Sequence, residues 1–427
     1  MPGGLLQLVA FGAQNLYLNG NPSLSFFKKV YKTHTNFACE SIKVNFNKNE
    51  LSYNDSTHLI AKIGRNADLL NEMYFIFTLP DIRKRGKNRF QYVENLGEAI
   101  IDEYYIYIGG NIIDKQYGEW LHIWSELSLN SNKRYGYEKM TGNVHEIYRP
   151  DDFHYVNDGD IQIDSRKIIV PLKFWFNKLP GLSLPLIALQ YHEIELHIIL
   201  RPMKQLVKEN DMIINDYSRY FATEKFDINP YLECNYVFLD TEERTFFAKN
   251  SLDYLIEQVI RIPFYNLNNN NILDLILQNP VKEIIWVISR NDKDQTNSWF
   301  EFGDDKYDIK GDGSDLRTME VLQSAKLTFN GLDRIEEKDS TYFNLIQPYQ
   351  HHTVIPKPGV YVYSFSLNPE EFQPSGSCNM SRLNKIQLHL NLKPPSRDTY
   401  KYDAHVYVTN HNFLRVTAGL AGVAFAC

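Results

Sequence analysis

Ile194-Glu-Leu-His-Ile-Ile-Leu-Arg-Pro202 and Ile386-Gln-Leu-His-Leu-Asn-Leu-Lys-Pro394 are one pattern written twice, 192 residues apart. In both, every second residue is a large aliphatic, the period of a strand with one buried face. Chance does not readily produce the shared frame I-x-L-H-x-x-L-[R/K]-P, so an internal duplication is the reading to test along the rest of the chain. Glu72 followed by Met-Tyr-Phe-Ile-Phe-Thr returns as Glu283 followed by Ile-Ile-Trp-Val-Ile-Ser, displaced by 211. Tyr107-Ile-Gly109 matches Phe329-Asn-Gly331 and Trp120-Leu121 matches Tyr342-Phe343, both at 222. Tyr236-Val237 with Arg244 matches Tyr407-Val408 with Arg415 at 171. A conserved order with changing displacement describes equal strand sets joined by loops of unequal length.

Strand-like runs recur near 38–46, 58–64, 72–79, 104–108, 167–176, 190–200, 233–239, 256–264, 282–289, 324–329, 360–367, 384–392 and 404–409. Asn, Gly and Pro clusters separate them, including Asn19-Gly20-Asn21-Pro22, Gly109-Gly110-Asn111 and Asn268–Asn271, which supply positive φ and turn hydrogen bonds. In Tyr117–Leu129 the apolar residues Trp120, Ile123, Trp124 and Leu127 fall at i, i+3, i+4 and i+7, the spacing of a short amphipathic helix. A weaker helical stretch follows Lys338 through Tyr342, Phe343, Leu345 and Ile346. The pattern predicts an all-β chain of two tandem eight-stranded jelly-roll sandwiches, a double jelly roll, with short helices in connecting loops. It divides as an arm over 1–24, a first roll over 25–249 and a second over 250–427.

The 427 residues suit about two domains. With 43% hydrophobic and 23% charged residues the chain is ordinary for a folded protein, while the 28 Tyr and 25 Phe are an excess that favours strands. A net charge of −7 lacks the basic surplus needed to neutralise phosphates, which argues against direct nucleic-acid contact. Cys39, Cys234, Cys378 and Cys427 are far apart with no CxxC pair, so neither a disulfide scaffold nor a zinc ribbon is indicated and a reducing compartment fits. The apolar run Leu5–Phe11 is short and lacks a basic flank, and the apolar tail from Ala418 is about half a membrane span.

Gly3-Gly-Leu-Leu-Gln-Leu-Val-Ala-Phe-Gly-Ala-Gln14, Tyr17-Leu-Asn-Gly-Asn-Pro22, Phe26-Phe-Lys, Val30-Tyr31 and His34-Thr-Asn-Phe-Ala38 resemble the opening of the major capsid proteins of nucleocytoplasmic large DNA viruses. Phe174-Trp-Phe with Pro180–Glu193, then Pro358–Pro369, Gln373–Asn379 and Asn412–Arg415, extend the likeness over the whole chain. The resemblance implies a non-enzymatic shell subunit without cofactors: a homotrimer forming a pseudo-hexameric capsomer that tiles an icosahedral virion. It further implies assembly in the host cytoplasm, contacts with neighbouring capsomers and minor capsid proteins, and an N-terminal arm at the base, facing an internal membrane or those minor proteins. The loops at Arg83–Arg89 and Gly303–Asp315 depart from the family pattern.

Those two loops lie at matching places in the two copies and carry opposite charge. Arg83, Lys84, Arg85, Lys87 and Arg89 occupy one; Asp304, Asp305, Asp308, Asp312 and Asp315 occupy the other. One reading alternates them around the pseudo-hexagon so that neighbouring chains steer into register; the other leaves them as solvated loop tips. His192-Glu193-Ile-Glu195-Leu-His197 is a polar strand face rather than a metal site, because Gln387 stands at the second copy's Glu195 position and zincin spacing needs a helix. His351-His352 reads as a loop after the second helix. Asp308–Gly313 resembles a calcium loop only partly, with Lys310 at a ligand position and Met319 where the bidentate Glu belongs. Asn54 and Asn379 begin glycosylation sequons, which a chain outside the secretory pathway would not have read. The rival class is a carbohydrate-binding or carbohydrate-active sandwich using Asp102 and Glu103, although adjacent strand residues point to opposite faces and cannot flank one bond. A minor capsid protein of the same fold is the third reading.

Overall fold

The computed structural model describes residues 3–84, 90–150, 159–209, 212–214, 218, 220–221, 223–304, 306–308 and 316–425. The segment through Phe37 is a unit of its own, with a helix α1 (Gly3–Val9), a 3-10 turn at Ala13–Asn15 and a helical turn at Leu16–Asn19. Its apolar side chains are bare: Leu8 is 77% exposed and Phe27 fully so.

The body begins at Ala38. Its first half supplies strands β1 (Phe37–Asn45), β2 (Thr57–Lys62), β3 (Leu69–Leu79), β4 (Ile101–Ile108), β5 (Asn111–Tyr117), β6 (Arg166–Pro171), β7 (Ile194–Leu200) and β8 (Tyr231–Leu239). They form two sheets, ordered β1-β8-β3-β6 and β2-β7-β4-β5. The second half supplies β9 (Leu252–Leu267), β10 (Asn270–Asp274), β11 (Pro280–Arg290), β12 (Leu322–Phe329), β13 (Leu332–Asp339), β14 (Val360–Ser364), β15 (Ile386–Leu392) and β16 (Tyr402–Thr417). Their sheets run β9-β16-β11-β14 and β10-β15-β12-β13. In each half the first, eighth, third and sixth strands face the second, seventh, fourth and fifth. That is a jelly roll, built twice.

The repeated motif occupies the same central place in both rolls. Ile194, Leu196, Ile198 and Leu200 on β7, and Ile386, Leu388, Leu390 and Leu392 on β15, are all buried, as their period of two demands. The aromatic excess fills the cores: Phe75, Phe77, Phe174 and Trp175 in the first, Trp286, Phe343, Tyr361 and Tyr402 in the second. Offset or tilted pairs such as Trp286 with Tyr361, centroids 5.9 Å apart, add packing energy beyond their buried area.

Backbone pairing corrects two of the displacements. Ile108 pairs with Asn111 and Phe329 with Leu332 at the same hairpin, so Phe329 corresponds to Ile108 at 221 rather than to Tyr107 at 222. Cys234 pairs with Met73, and Val408 pairs with Ile284, the equivalent of Met73. The eighth strands are therefore displaced by 174, so that Tyr407 corresponds to Glu233, and Tyr236 is not its counterpart. Side-chain similarity alone is blind to a slip that reverses the buried face; the ladder is not.

The amphipathic helix forms as α2 (Gly118–Ser128), and the second helical stretch begins as a π-helix over Tyr342–Ile346 and continues as α5 (Gln347–His351). Between them in chain order are α3 (Ser131–Thr141) and α4 (Thr241–Lys249), both largely solvated and without a strong apolar stripe to announce them. His351 ends a helix instead of lying in a loop, and His352 caps that end.

Candidate functional site

Helix α2 is apolar on two sides, which is what a helix with two neighbours requires. Leu121 turns into the first roll's core, whereas Trp120, Ile123, Trp124 and Leu127 leave that roll and pack on the outer face of the β9-β16-β11-β14 sheet. There they meet Ile285, Val287, Val360, Val362 and Tyr407, all essentially without solvent contact. Burying Ile123 or Leu127 stabilises by about 1.5–3 kcal/mol each, so this apolar patch holds the two rolls side by side.

A polar rim completes the seam. Glu119 Oε2 accepts from Tyr407 Oη at 2.6 Å and lies 2.5 Å from His405 Nδ1, with Lys293 Nζ at 3.9 Å from its other oxygen. Burial alone raises the Glu119 carboxyl, but His405, Lys293 and Tyr407 outweigh it and hold the group well below the usual carboxylate range. Glu257 of β9 bridges Lys178 of the first roll and the buried Lys282. Arg261 lies 3.9 Å over the Tyr117 ring, Trp299 Nε1 donates to the Gln205 carbonyl at 2.8 Å, and Ala421 N donates to His192 Nδ1 at 3.1 Å.

The residues with chemical potential are occupied elsewhere in structural roles. His352 lies 3.0 Å from Glu283 and 3.0 Å from Glu370; burial lowers its ring, but the two carboxylates prevail and raise it to about 9. His197 contacts Glu195 at 3.2 Å and His58 at 3.0 Å, and Lys62 joins Glu193 and Glu195. His389 faces Thr328 instead. Asp102 pairs with Arg201 and Glu103 with Lys115, so the two carboxylates suggested for sugar chemistry are held by different cations. Among the described residues no group of three or more His, Cys, Asp or Glu side chains is placed to hold a metal ion. Asn379 Oδ1 accepts from Ser381 N at 3.1 Å, capping a 3-10 turn, and Asn54 donates to Glu224. Cys39, Cys234 and Cys378 are free.

Of the proposed loop charges, Arg83 donates to the Gly159 carbonyl at 3.2 Å and Lys84 N to that of Asp160 at 2.9 Å. Asp304 does not sit at a loop tip. It is 7% exposed, and its carboxylate accepts from Tyr402 Oη at 3.0 Å, Ser396 N at 3.0 Å and Tyr400 Oη, which uses its charge inside the second roll. Asp308 ends a short strand, Lys306–Asp308. Arg85, Lys87, Arg89, Asp305, Asp312 and Asp315 lie outside the described residues, as does the rest of the partial calcium motif from Ile309 to Gly313. The seam itself was not singled out from the sequence, although α2's apolar residues on two sides were the signal for it.

Two rolls of one topology, locked side by side by a dry interface, define a structural double jelly-roll protein. A family model described as "Major capsid protein N-terminus" matches residues 25–240, and one described as "Large eukaryotic DNA virus major capsid protein" matches residues 243–422. The major capsid protein of Pyramimonas orientalis virus is 35% identical and that of Paramecium bursaria Chlorella virus 1 is 33% identical, each covering the whole of both chains. A chain of the PBCV-1 virus capsid superposes with a TM-score of 0.78 at 29% identity, covering 94% of this chain and 100% of that one. The Faustovirus major capsid protein superposes at 0.75 with 13% identity, a likeness of fold. The chain belongs to the major capsid proteins of large eukaryotic DNA viruses, and its place is in the virion shell among neighbouring capsid subunits.

Proposed function

We propose that three copies close about a threefold axis into a pseudo-hexagonal capsomer and that capsomers tile an icosahedral face. The observation that carries this reading is the side-by-side packing of two rolls with identical strand order, since three such pairs give six similar blocks without six chains. The reading further takes the chain to be a subunit without enzymatic activity, assembled in the host cytoplasm, with an arm over 1–24 and rolls over 25–249 and 250–427. The bare apolar side chains of the arm, Leu8 and Leu18 among them, suit an internal membrane or minor capsid proteins at the base of the shell. The acidic balance suits a shell that does not contact the genome. In the loops between the third and fourth strands of each roll, Arg83, Lys84, Arg85, Lys87 and Arg89 face Asp305, Asp308, Asp312 and Asp315 of the next chain and steer it into register. Light scattering on the purified chain tests the core of this reading: a species of three chain masses supports it, and a stable monomer with affinity for glycans overturns it.

A further inference from the structure

We propose that a cavity between the two rolls binds a fatty carboxylate, a single anionic head on a flexible apolar tail. The cavity measures about 660 Å³, within the range of small-molecule sites. It is enclosed by β3, the segment that follows β6, the C-terminal half of α2 and the second roll's loop at Glu370–Gln373. Met73, Tyr74, Trp124, Leu172, Leu179 and Phe372 give it apolar walls. A pocket of that kind takes its orientation and specificity from the few polar groups that converge on it, and here one of them has nothing to do.

Most charged groups on the walls are already engaged. Glu72 accepts from Tyr74 Oη at 2.8 Å and from Asn235 Nδ2 at 3.1 Å, Glu370 accepts from Thr353 N at 2.9 Å, Lys178 pairs with Glu257, and Glu371 is solvent-exposed. Lys173 is the exception: among the described residues nothing accepts from its ammonium or pairs with it. Its backbone is fixed, with the carbonyl accepting from Gln116 Nε2 at 2.8 Å and the N donating to Tyr104 Oη at 3.3 Å. Burial, and after it the neighbouring Lys178, pushes the ammonium pKa down, and the opposing pull of Glu98 does not prevail. A second, narrow cavity of about 20 Å³ shares Trp124, Lys173 and Lys178 with the first and adds Glu257. Lys178 and Lys282 both pair with Glu257, so three lysines stand around one carboxylate and a desolvated positive charge is left uncompensated. A carboxylate head supplies the missing charge and its tail covers the apolar walls. An inorganic anion would leave those walls bare, and a neutral tail would leave the lysine alone.

The test is isothermal titration calorimetry of the purified full chain at pH 7, with decanoate below its micelle-forming concentration and with decanol, acetate and inorganic phosphate as comparisons. Decanoate should bind once per chain, whatever the state of assembly, with a dissociation constant at least about tenfold below each of the others, the effect of roughly 1.4 kcal/mol. Lys173→Met keeps the side chain's length and removes its charge. It should bring decanoate to the affinity of decanol and leave decanol unchanged. It should not lower the melting temperature, because a desolvated charge without a partner is costly to the fold. Phe372→Ala trims the wall on the second roll's half-buried loop and should weaken decanoate and decanol alike, which keeps a second readout if the lysine variant fails to fold. Decanoate affinity equal to that of decanol, phosphate binding as tight as decanoate, or undiminished decanoate binding in Lys173→Met overturns the proposal.

Discussion

Tyr407 donates its hydroxyl to Glu119 at 2.6 Å across the seam between the rolls, joining the eighth strand of one to the helix of the other. Both are buried, and Glu119 also serves His405. Removing one member of such a group leaves the others desolvated and unpaired. Glu119→Ala should cost about 3–5 kcal/mol and Tyr407→Phe about 1.5–3 kcal/mol, as read from urea unfolding midpoints. Glu119 is a depressed carboxylate, so its stabilisation is present above the ordinary carboxylate range and is lost as pH falls through its lower folded value. Equal stability of Glu119→Ala and the parent at pH 7 contradicts this role.

The opposite sign applies at His352. Its folded value is raised from 6.5 to about 9 by Glu283 and Glu370 against the effect of burial, so the folded state holds the proton more tightly than the unfolded chain. The contribution is complete below pH 6.5 and disappears as pH rises through 9, a loss of up to roughly 3 kcal/mol. Melting temperatures taken from pH 6 to 9.5 should fall across that window, and His352→Gln should flatten the fall. An unchanged slope in the variant assigns the dependence to other groups.

The strand pattern was legible where one face is buried and the other polar, as in β7 and β15. β5, β10 and β13 escaped it for a physical reason. β13 reads Leu-Asp-Arg-Ile-Glu-Glu-Lys-Asp and is mostly exposed at a sheet edge, so backbone pairing to β12 holds it without an apolar alternation to betray it. Asn270 and Asn271 look like turn residues yet begin β10, again because pairing with β15 overrides local preference. The acidic loop misled in a similar way: a run of Asp reads as a solvated tip, but Tyr400 and Tyr402, nearly a hundred positions later, draw Asp304 inside. No local pattern contains that partnership.

The two equivalent hairpins after β4 and β12 turn through Gly109-Gly110 and Asn330-Gly331, all four with positive φ. At Gly110 and Gly331 a Cβ meets open space, so alanine should cost only the left-handed backbone penalty, about 1–2 kcal/mol at either site. Gly109 differs from Asn330 because a Cβ there would meet the His192 ring at 2.5 Å. Gly109→Asn, which copies the second roll's turn into the first, should therefore cost about 2 kcal/mol or more, by overpacking and by displacing the ring that accepts from Ala421 N. Adding His192→Ala removes the clash and should recover part of the melting temperature. If Gly109→Asn alone is neutral, the close approach is not a constraint.

Steering by the opposed loops makes a prediction that the position of Asp304 refines. Reversing Arg83, Lys84, Arg85, Lys87 and Arg89 to Glu should lower trimer yield, and reversing Asp305, Asp308, Asp312 and Asp315 to Lys should do the same. Asp304 must be left intact, since its carboxylate is buried against Tyr402 and Ser396 and its reversal would damage the second roll regardless of assembly. Combining the two reversals restores opposite signs across the junction, so yield should return. The losses should also shrink as salt rises, because exposed charges are screened over about 10 Å at 0.1 M. Trimer yield measured by light scattering over a salt series decides it: two single losses that persist in the combined variant leave the loops as solubilising tips.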